Sequence, residues 1–281
     1  MRLNFILMWV LNLACSCMLF SFPAFAADKQ VVIQKIAYHD IDHEDYYFTN
    51  LIALALAKTE QKYGKTSLTE QSFRNIDKRL RAELFAGNID VMWSPTSAEL
   101  ETEFLPVKVP LLKELSNYRL LLIRSDMQPE FSKVKTLDDL RQFKGGMSSQ
   151  WIDADIMEAN GLPLVKAVGY NKLFKMLAAK RFDYFSRGLY QIHTEVNRYP
   201  ELKLMIEKEL MLHYSNNVYF FVHKNNKALA ERLHAGLEIA LKDGSFDALY
   251  NSIPRFRWGV EELNRHKRRV INLKSPTEVT P

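Results

Sequence analysis

The chain has 281 residues, 47% of them hydrophobic and 25% charged, which excludes a disordered or fibrous polypeptide and leaves enough length for two domains. Its formal charge of +5 is spread along the sequence; this favours anionic ligands or surfaces but lacks the concentrated basic stripe of a nucleic-acid binder. No nucleic-acid partner is therefore expected.

Residues 1–26 read as a cleavable signal peptide. Arg2 supplies the positive start, the stretch from Phe5 to Phe22 is almost wholly apolar, and Ala24-Phe25-Ala26 is a small-x-small cleavage site. Cleavage before Ala27 places the mature chain in the periplasm and removes Cys15 and Cys17, so no disulfide, thiolate metal site or cysteine nucleophile is left. An uncleaved membrane anchor is the alternative, although Pro23 and the A-x-A triplet serve cleavage and not anchorage.

Val31-Val32-Ile33 through Tyr38 predict a short β-branched strand, and residues 46–62 a helix whose Leu51, Ile52, Leu54, Ala55 and Leu56 form a wide apolar face ending at Gly64. Residues 68–73 predict a second strand, after which Ile76, Leu80, Leu84 and Phe85 recur at helical spacing up to the stop at Gly87. Strand and helix in alternation are the α/β signature.

Residues 79–94, RLRAELFAGNIDVMWS, align with 172–187, KLFKMLAAKRFDYFSR, at a constant offset of 93. Leu80 matches Leu173, Leu84 matches Leu177, Ile89 matches Phe182 and Asp90 matches Asp183. Each copy reads as helix, tight turn, apolar residue plus Asp, then buried strand, so two lobes of similar build are expected, with chance likeness as the alternative. Residues 118–125, YRLLLIRS, and 217–224, NVYFFVHK, are apolar strands placed where a chain would cross between lobes. Thr136 is the expected N-cap of the Leu137-Asp138-Asp139-Leu140 helix. Residues 227–242 predict an amphipathic helix closed by Asp243-Gly244, and Ser245 is expected to cap a shorter one to Tyr250. The basic cluster His266-Lys267-Arg268-Arg269 is expected to be a solvated chain end, membrane-surface or partner contact being the alternative.

The segments LFAGNIDVMWSPTSAE (84–99), FLPVKVPLLKELSNYRLLLIRSD (104–126), TLDDLRQFKGG (136–146), YNKLFKMLAAKRFDYFSRG (170–188) and YFFVHKNNKALAERLHAGLEIALKDGSFDALY (219–250) follow one another in an order that resembles the family 3 extracellular solute-binding proteins. Closer still, the MWSPTS turn, the PLL-to-LLLIRSD crossover and the RFDYFSRG strand resemble a subgroup of transporter substrate-binding domains. The resemblance implies an α/β, two-lobed type II periplasmic binding protein fold with a two-strand hinge. It implies a first lobe from 27–117, a second from 118–214, and a return over 215–281 to the first lobe with C-terminal helices and a tail. A small polar or anionic solute would be held between the lobes by a monomer. The partner implied is an inner-membrane permease of an ABC-type importer, or alternatively a sensor kinase or cyclase; no cofactor, metal or catalytic residue is expected.

In open α/β sheets ligands gather beyond the carboxyl ends of the strands. Applied to the repeat, this nominates Trp93, Ser94, Thr96 and Ser97 on one wall and Arg187 on the other. Arg187 is suited to hold a carboxylate or phosphate bidentately, against the alternative of a surface ion pair with Glu195 or another acid. Trp93 is suited to stack on a ligand, though it equally fits a core; the hydroxyls equally fit turn and cap chemistry. Ser148, Ser149 and Trp151 are expected at the opening of a second-lobe helix, and Tyr38 just before a loop that reaches the cleft. That loop, His39-Asp40-Ile41-Asp42-His43-Glu44-Asp45, carries enough imidazole and carboxylate to raise a metal site, but acids at the start of the following helix are the preferred explanation. Amino-acid binders of the family carry an arginine in the turn after the third strand; Ser97-Ala98-Glu99-Leu100-Glu101 has none, which puts α-amino-acid recognition in doubt and makes Arg119 or Arg187 the candidate replacement. A small-acid dehydratase is the enzymatic alternative, with Glu99, Asp183 and His213 available but not tied together by spacing.

Overall fold

The computed structural model describes residues 29–34, 43–71 and 77–275. The expected signal peptide, Tyr38 and positions 39–42 of the loop after it lie outside the described residues. The chain begins with β1 (Lys29–Gln34), α1 (Glu44–Lys58), α2 (Glu60–Tyr63), β2 (Thr66–Gln71), α3 (Asp77–Phe85), β3 (Val91–Pro95), α4 (Ala98–Glu103) and β4 (Phe104–Val107). It continues with β5 (Tyr118–Arg124), α5 (Gln128–Phe131), α6 (Leu137–Leu140), β6 (Gly145–Ser148), α7 (Ile152–Ala159), β7 (Leu164–Ala167), α8 (Tyr170–Ala178), β8 (Tyr184–Gly188) and α9 (Ile192–Glu195). The last stretch is β9 (Leu204–Ile206), β10 (Leu210–His213), β11 (Val218–His223), α10 (Lys227–Lys242), α11 (Ser245–Ser252), α12 (Pro254–Asn264) and β12 (Arg269–Asn272). Among the described residues no helix is long and apolar enough to cross a membrane.

Two sheet systems result. The smaller joins parallel β1 and β2 with an antiparallel set ordered β3-β11-β4; the larger is ordered β12-β10-β5-β8-β6-β7, with β9 also on β5. Alternation of side chains splits β11 between two cores. Phe220 faces the main one with Leu51, Ala55 and Leu233, and Phe221 faces a second with Leu84, Ile89, Met92, Leu100 and Phe104. Helices therefore cover both faces of the smaller sheet. In the larger sheet Leu120, Leu121, Leu122 and Ile123 are all fully buried, as a strand sandwiched between helical layers must be. Thr136 caps α6 in a full capping box with Asp139, as its sequence predicts.

The repeat is real at the level of elements. Each boundary of α8 and β8 lies 93 residues beyond its counterpart in α3 and β3: 77 and 170, 85 and 178, 91 and 184, 95 and 188. The matching aspartates do the same work. Asp90 exchanges main-chain and carboxylate hydrogen bonds with Val32 of β1, its amide donating at 2.8 Å and its Oδ2 accepting at 2.8 Å. Asp183 does so with Lys144, its amide donating at 2.7 Å and its Oδ2 accepting at 2.8 Å. One carboxylate thus ties the start of β3 to β1, and its counterpart ties the start of β8 to the residue that precedes β6. The turn before each strand needs a left-handed residue, Gly87 at φ 73° and Lys180 at φ 59°, which stand at matching positions.

Two connections join the lobes side by side. The β5–β10 ladder runs out where the Tyr214 amide donates to the Asn117 carbonyl at 3.0 Å and the Asn216 amide to the Asn117 side chain at 2.9 Å. On the other side the Leu111 amide donates to the Val218 carbonyl at 3.0 Å. The C-terminal segment differs from expectation. Helices α10 and α11 pack on α1, but α12 then leads the chain onto α9, where Trp258 stacks on His193 at 4.7 Å, and β12 adds to the larger sheet in parallel with β10. In the basic cluster His266, Lys267 and Arg269 are exposed, as expected, and Arg268 is partly buried. Arg268 donates to Glu262 at 2.6 Å and to the Glu207 carbonyl, and Arg269 donates to the Val134 carbonyl at 3.0 Å, so the two guanidiniums pin the closing strand.

Candidate functional site

On the smaller lobe, β3 delivers Trp93, Ser94 and Pro95 to its carboxyl end because pairing with β11 sets Trp93 opposite Phe220 and Pro95 opposite Val218. Trp93 stacks on Phe48 of α1 at 5.4 Å between centroids and donates its indole N–H to Asp45 at 3.1 Å. The hydroxyls are engaged locally. Ser94 donates to the Pro95 carbonyl at 2.9 Å, Thr96 donates to Glu101 at 2.7 Å, and Ser97 caps α4 by accepting the Leu100 amide at 3.1 Å. The Thr96 hydroxyl, ahead of Lys108, holds the Glu101 carboxyl below its usual range. His43 accepts the Asp45 amide at 3.3 Å and so caps α1, which is the structural duty in that acidic loop visible among the described residues.

On the larger lobe, β6 ends at Ser148, and residues 149–151 lead into α7. Ser148 is buried and accepts the Gln150 amide at 3.3 Å, and the Ser149 amide donates to the Ala167 carbonyl at 3.2 Å. Trp151 lies nearly parallel to Phe185 at 6.2 Å. The Arg187 guanidinium sits 4.6 Å from the centre of the Trp151 ring and 5.4 Å from that of Tyr170, an arrangement in which each aromatic face stabilises the cation.

Neither arginine is an open anion grip. Arg187 makes a two-point, buried ion pair with Glu195 at 2.8 and 2.6 Å, and the Tyr170 hydroxyl donates to the same carboxylate at 2.7 Å. Burial, then the Glu195 charge, pushes the Tyr170 hydroxyl well above its usual pKa, so it stays a donor. Arg119 is likewise buried. It donates to Asp153 at 2.9 Å and to the carbonyls of Ser116 and Tyr118, while Tyr214 donates to Asp153 at 2.5 Å. Asp153 lies within the field of Arg119 first and of Arg187 beyond it, so both guanidiniums and both carboxylates belong to one charge-balanced wall.

Burial by itself would raise the Asp153 pKa, but the Arg119 charge and the hydrogen bonds from Tyr214 and Arg119 outweigh it and hold the carboxyl below the ordinary range. A depressed carboxylate contributes stability that is present above its unfolded pKa of about 3.9 and is lost as pH falls through the folded value. Asp153→Asn leaves the Arg119 charge buried without its counter-ion. The variant is therefore expected to be clearly destabilised at neutral pH, with the gap from the unmodified protein narrowing below about pH 4. Urea unfolding of both proteins on either side of that pH measures it.

Tyr214 and Asn217 link the walls. The first reaches Asp153 on the larger lobe, and the carbonyl of the second accepts the Thr96 amide of the smaller lobe at 2.9 Å. The sequence nominated neither. A cavity of about 420 Å³ between β4 and α10, lined by Leu105, Val107, Lys227 and His234 among others, and one of about 710 Å³ near Lys113, Tyr118 and His266, contain none of the nominated residues.

No protein-family model and no curated protein matches the chain. Solved structures do. An amino acid ABC transporter substrate-binding protein of Streptococcus pneumoniae bound to L-arginine superposes with a TM-score of 0.57 at 17% identity, covering 83% of this chain and 96% of that one. An ancestral arginine-binding protein bound to arginine gives 0.56 at 18% identity over 80% and 97%. A histidine kinase sensor domain with similarity to periplasmic binding proteins gives 0.58 at 16% identity over 81% and 96%. The fold is that of a two-lobed periplasmic binding protein.

In that fold the three candidate enzymatic groups do not converge. Asp183 ties down the start of β8, whereas His213 pairs with Tyr118 and its ring accompanies Asn272 at 3.1 Å. Tyr184 pairs with Ile123, so Asp183 and His213 sit toward opposite ends of β5, roughly 20 Å apart along the strand direction at strand spacing. Glu99 is exposed on the other lobe, 3.8 Å from Arg81.

Proposed function

We propose that the chain is an exported periplasmic solute-binding protein that captures a small polar solute between its lobes and offers the closed form to the permease of an ABC-type importer. The observation that carries this is the segment 214–217, which ties both candidate walls to one crossing point. The first lobe is taken as 27–117 and the second as 118–214, with the return over 215–281 lending β12 to the second. Trp93, Ser94, Thr96 and Ser97 would line one wall, and Ser148, Ser149 and Trp151 the other. Tyr38 is proposed to reach the cleft from the loop after β1. Arg119 and Arg187 support the second wall, because guanidiniums already matched by carboxylates attract an anion weakly. That favours a neutral or zwitterionic solute over a simple anion.

A sensor role is the second reading, favoured by the likeness to a kinase sensor domain. Both readings share the capture step and differ in the membrane partner. Native mass spectrometry of freshly released protein, followed by thermal shift with the recovered compound, tests the shared step. A retained small molecule that raises Tm is the expected result. Protein that carries no solute and is stabilised by none in a broad panel would end the proposal. Co-purification from membranes with a permease and ATPase, or with a kinase or cyclase, separates the two roles.

A further inference from the structure

Asn216 is 2% exposed, and neither its side-chain nitrogen nor its side-chain oxygen has a hydrogen-bond partner. Among the described residues it is the one that contributes two such atoms. A buried carboxamide with both ends unmatched is costly, and proteins keep such groups where something outside the chain completes them.

Its position says what that is. The Asn216 amide is held by the Asn117 side chain of the other crossing strand, so its backbone is fixed. Tyr214, two residues before it, reaches Asp153 of the second wall, and Asn217, the next residue, accepts from Thr96 of the first. Asn216 thus stands in the chain between a residue that reaches the second wall and one that accepts from the first, at the crossing point.

We propose that Asn216 is a ligand-contacting residue at the floor of the cleft, and that it takes a neutral group able both to donate and to accept a hydrogen bond, such as a hydroxyl or an amide. This rests on the solute-capture reading. The charge-balanced wall fits the same class, since its two guanidiniums, Arg119 and Arg187, are already matched by carboxylates. A carboxamide also discriminates sharply, because a ligand lacking either partner atom leaves the buried group unmatched.

Asn216→Leu keeps the branching and the number of side-chain heavy atoms, at a somewhat larger volume, and removes both polar atoms. Thermal unfolding of the whole protein and of this variant is followed alone and with millimolar L-glutamine, D-glucose, glycylglycine and, as the anionic comparison, succinate. Native mass spectrometry of both proteins, freshly released from the periplasm, adds whatever solute they retain. The expected result is an unchanged or higher Tm for the variant without additions, and a loss of about tenfold to a hundredfold in apparent affinity for the neutral probe or retained solute. A variant that binds as well as the unmodified protein overturns the assignment and leaves solute capture standing. So does a probe-free Tm that drops by several degrees, which would make the amide part of the scaffold, or binding of succinate alone. Unmodified protein that binds no probe and retains no solute overturns both.

Discussion

Gly236→Ala is expected to unfold the smaller lobe, or to lower its stability by more than about 3 kcal/mol. Gly236 lies in α10 where that helix crosses α1, and a methyl group there would come within 2.7 Å of both the carbonyl carbon and the Cα of Ala55. Those are backbone atoms, so no side-chain rotation relieves the clash and the two helices must separate. The intrinsic gain of alanine over glycine in a helix, about 1 kcal/mol, is too small to offset this. Gly259→Ala in α12 is the comparison, because its added methyl would meet Leu115 at 3.2 Å and the Leu189 carbonyl at 3.3 Å and needs only a small adjustment. Urea midpoints should rank unmodified protein, Gly259→Ala and Gly236→Ala in that order. A Gly236→Ala protein with an unchanged midpoint would mean the helices are not in such close contact.

Glu195→Ala should lower stability by roughly 3–5 kcal/mol, because it leaves the Arg187 guanidinium buried without its matching carboxylate. In a domain of this size that corresponds to a fall in Tm of roughly 10 °C. The double change Arg187→Met with Glu195→Leu should recover most of the loss, since a hydrophobic pair of similar volume carries no desolvation cost. Scanning calorimetry of the two variants separates these cases. A Glu195→Ala protein losing under about 1 kcal/mol would show that Arg187 is not neutralised by Glu195, and would return it to the role of an anion-binding residue.

The Glu195 test bears on recognition. The sequence offers Arg187 and Arg119 in place of the arginine that amino-acid binders carry, and the fold pairs Arg187 with Glu195. The pair is buried, not superficial, with Tyr170 and Trp151 around it. Only the charge of Arg119 is legible locally, and nothing nearby announces Asp153, which lies 34 residues away, or Tyr214, which lies 61 beyond that.

The sequence by itself determined what is local or periodic. The 3.6-residue spacing over 227–242 located α10 to the residue, Thr136 located the N-cap of α6, and the offset of 93 located two equivalent helix–strand units whose aspartates do equivalent work. Hydrophobic alternation and cap chemistry act over a few neighbouring residues, so they can be read without the fold. Only the tertiary structure decided which charges meet. The Arg268 and Arg269 contacts that pin the closing strand, the balanced wall around Arg187, and the unmatched Asn216 carboxamide all depend on residues brought together from distant parts of the chain. A side chain's charge is written in the sequence, but whether that charge is spent on the protein or left for a ligand is set by long-range packing and desolvation.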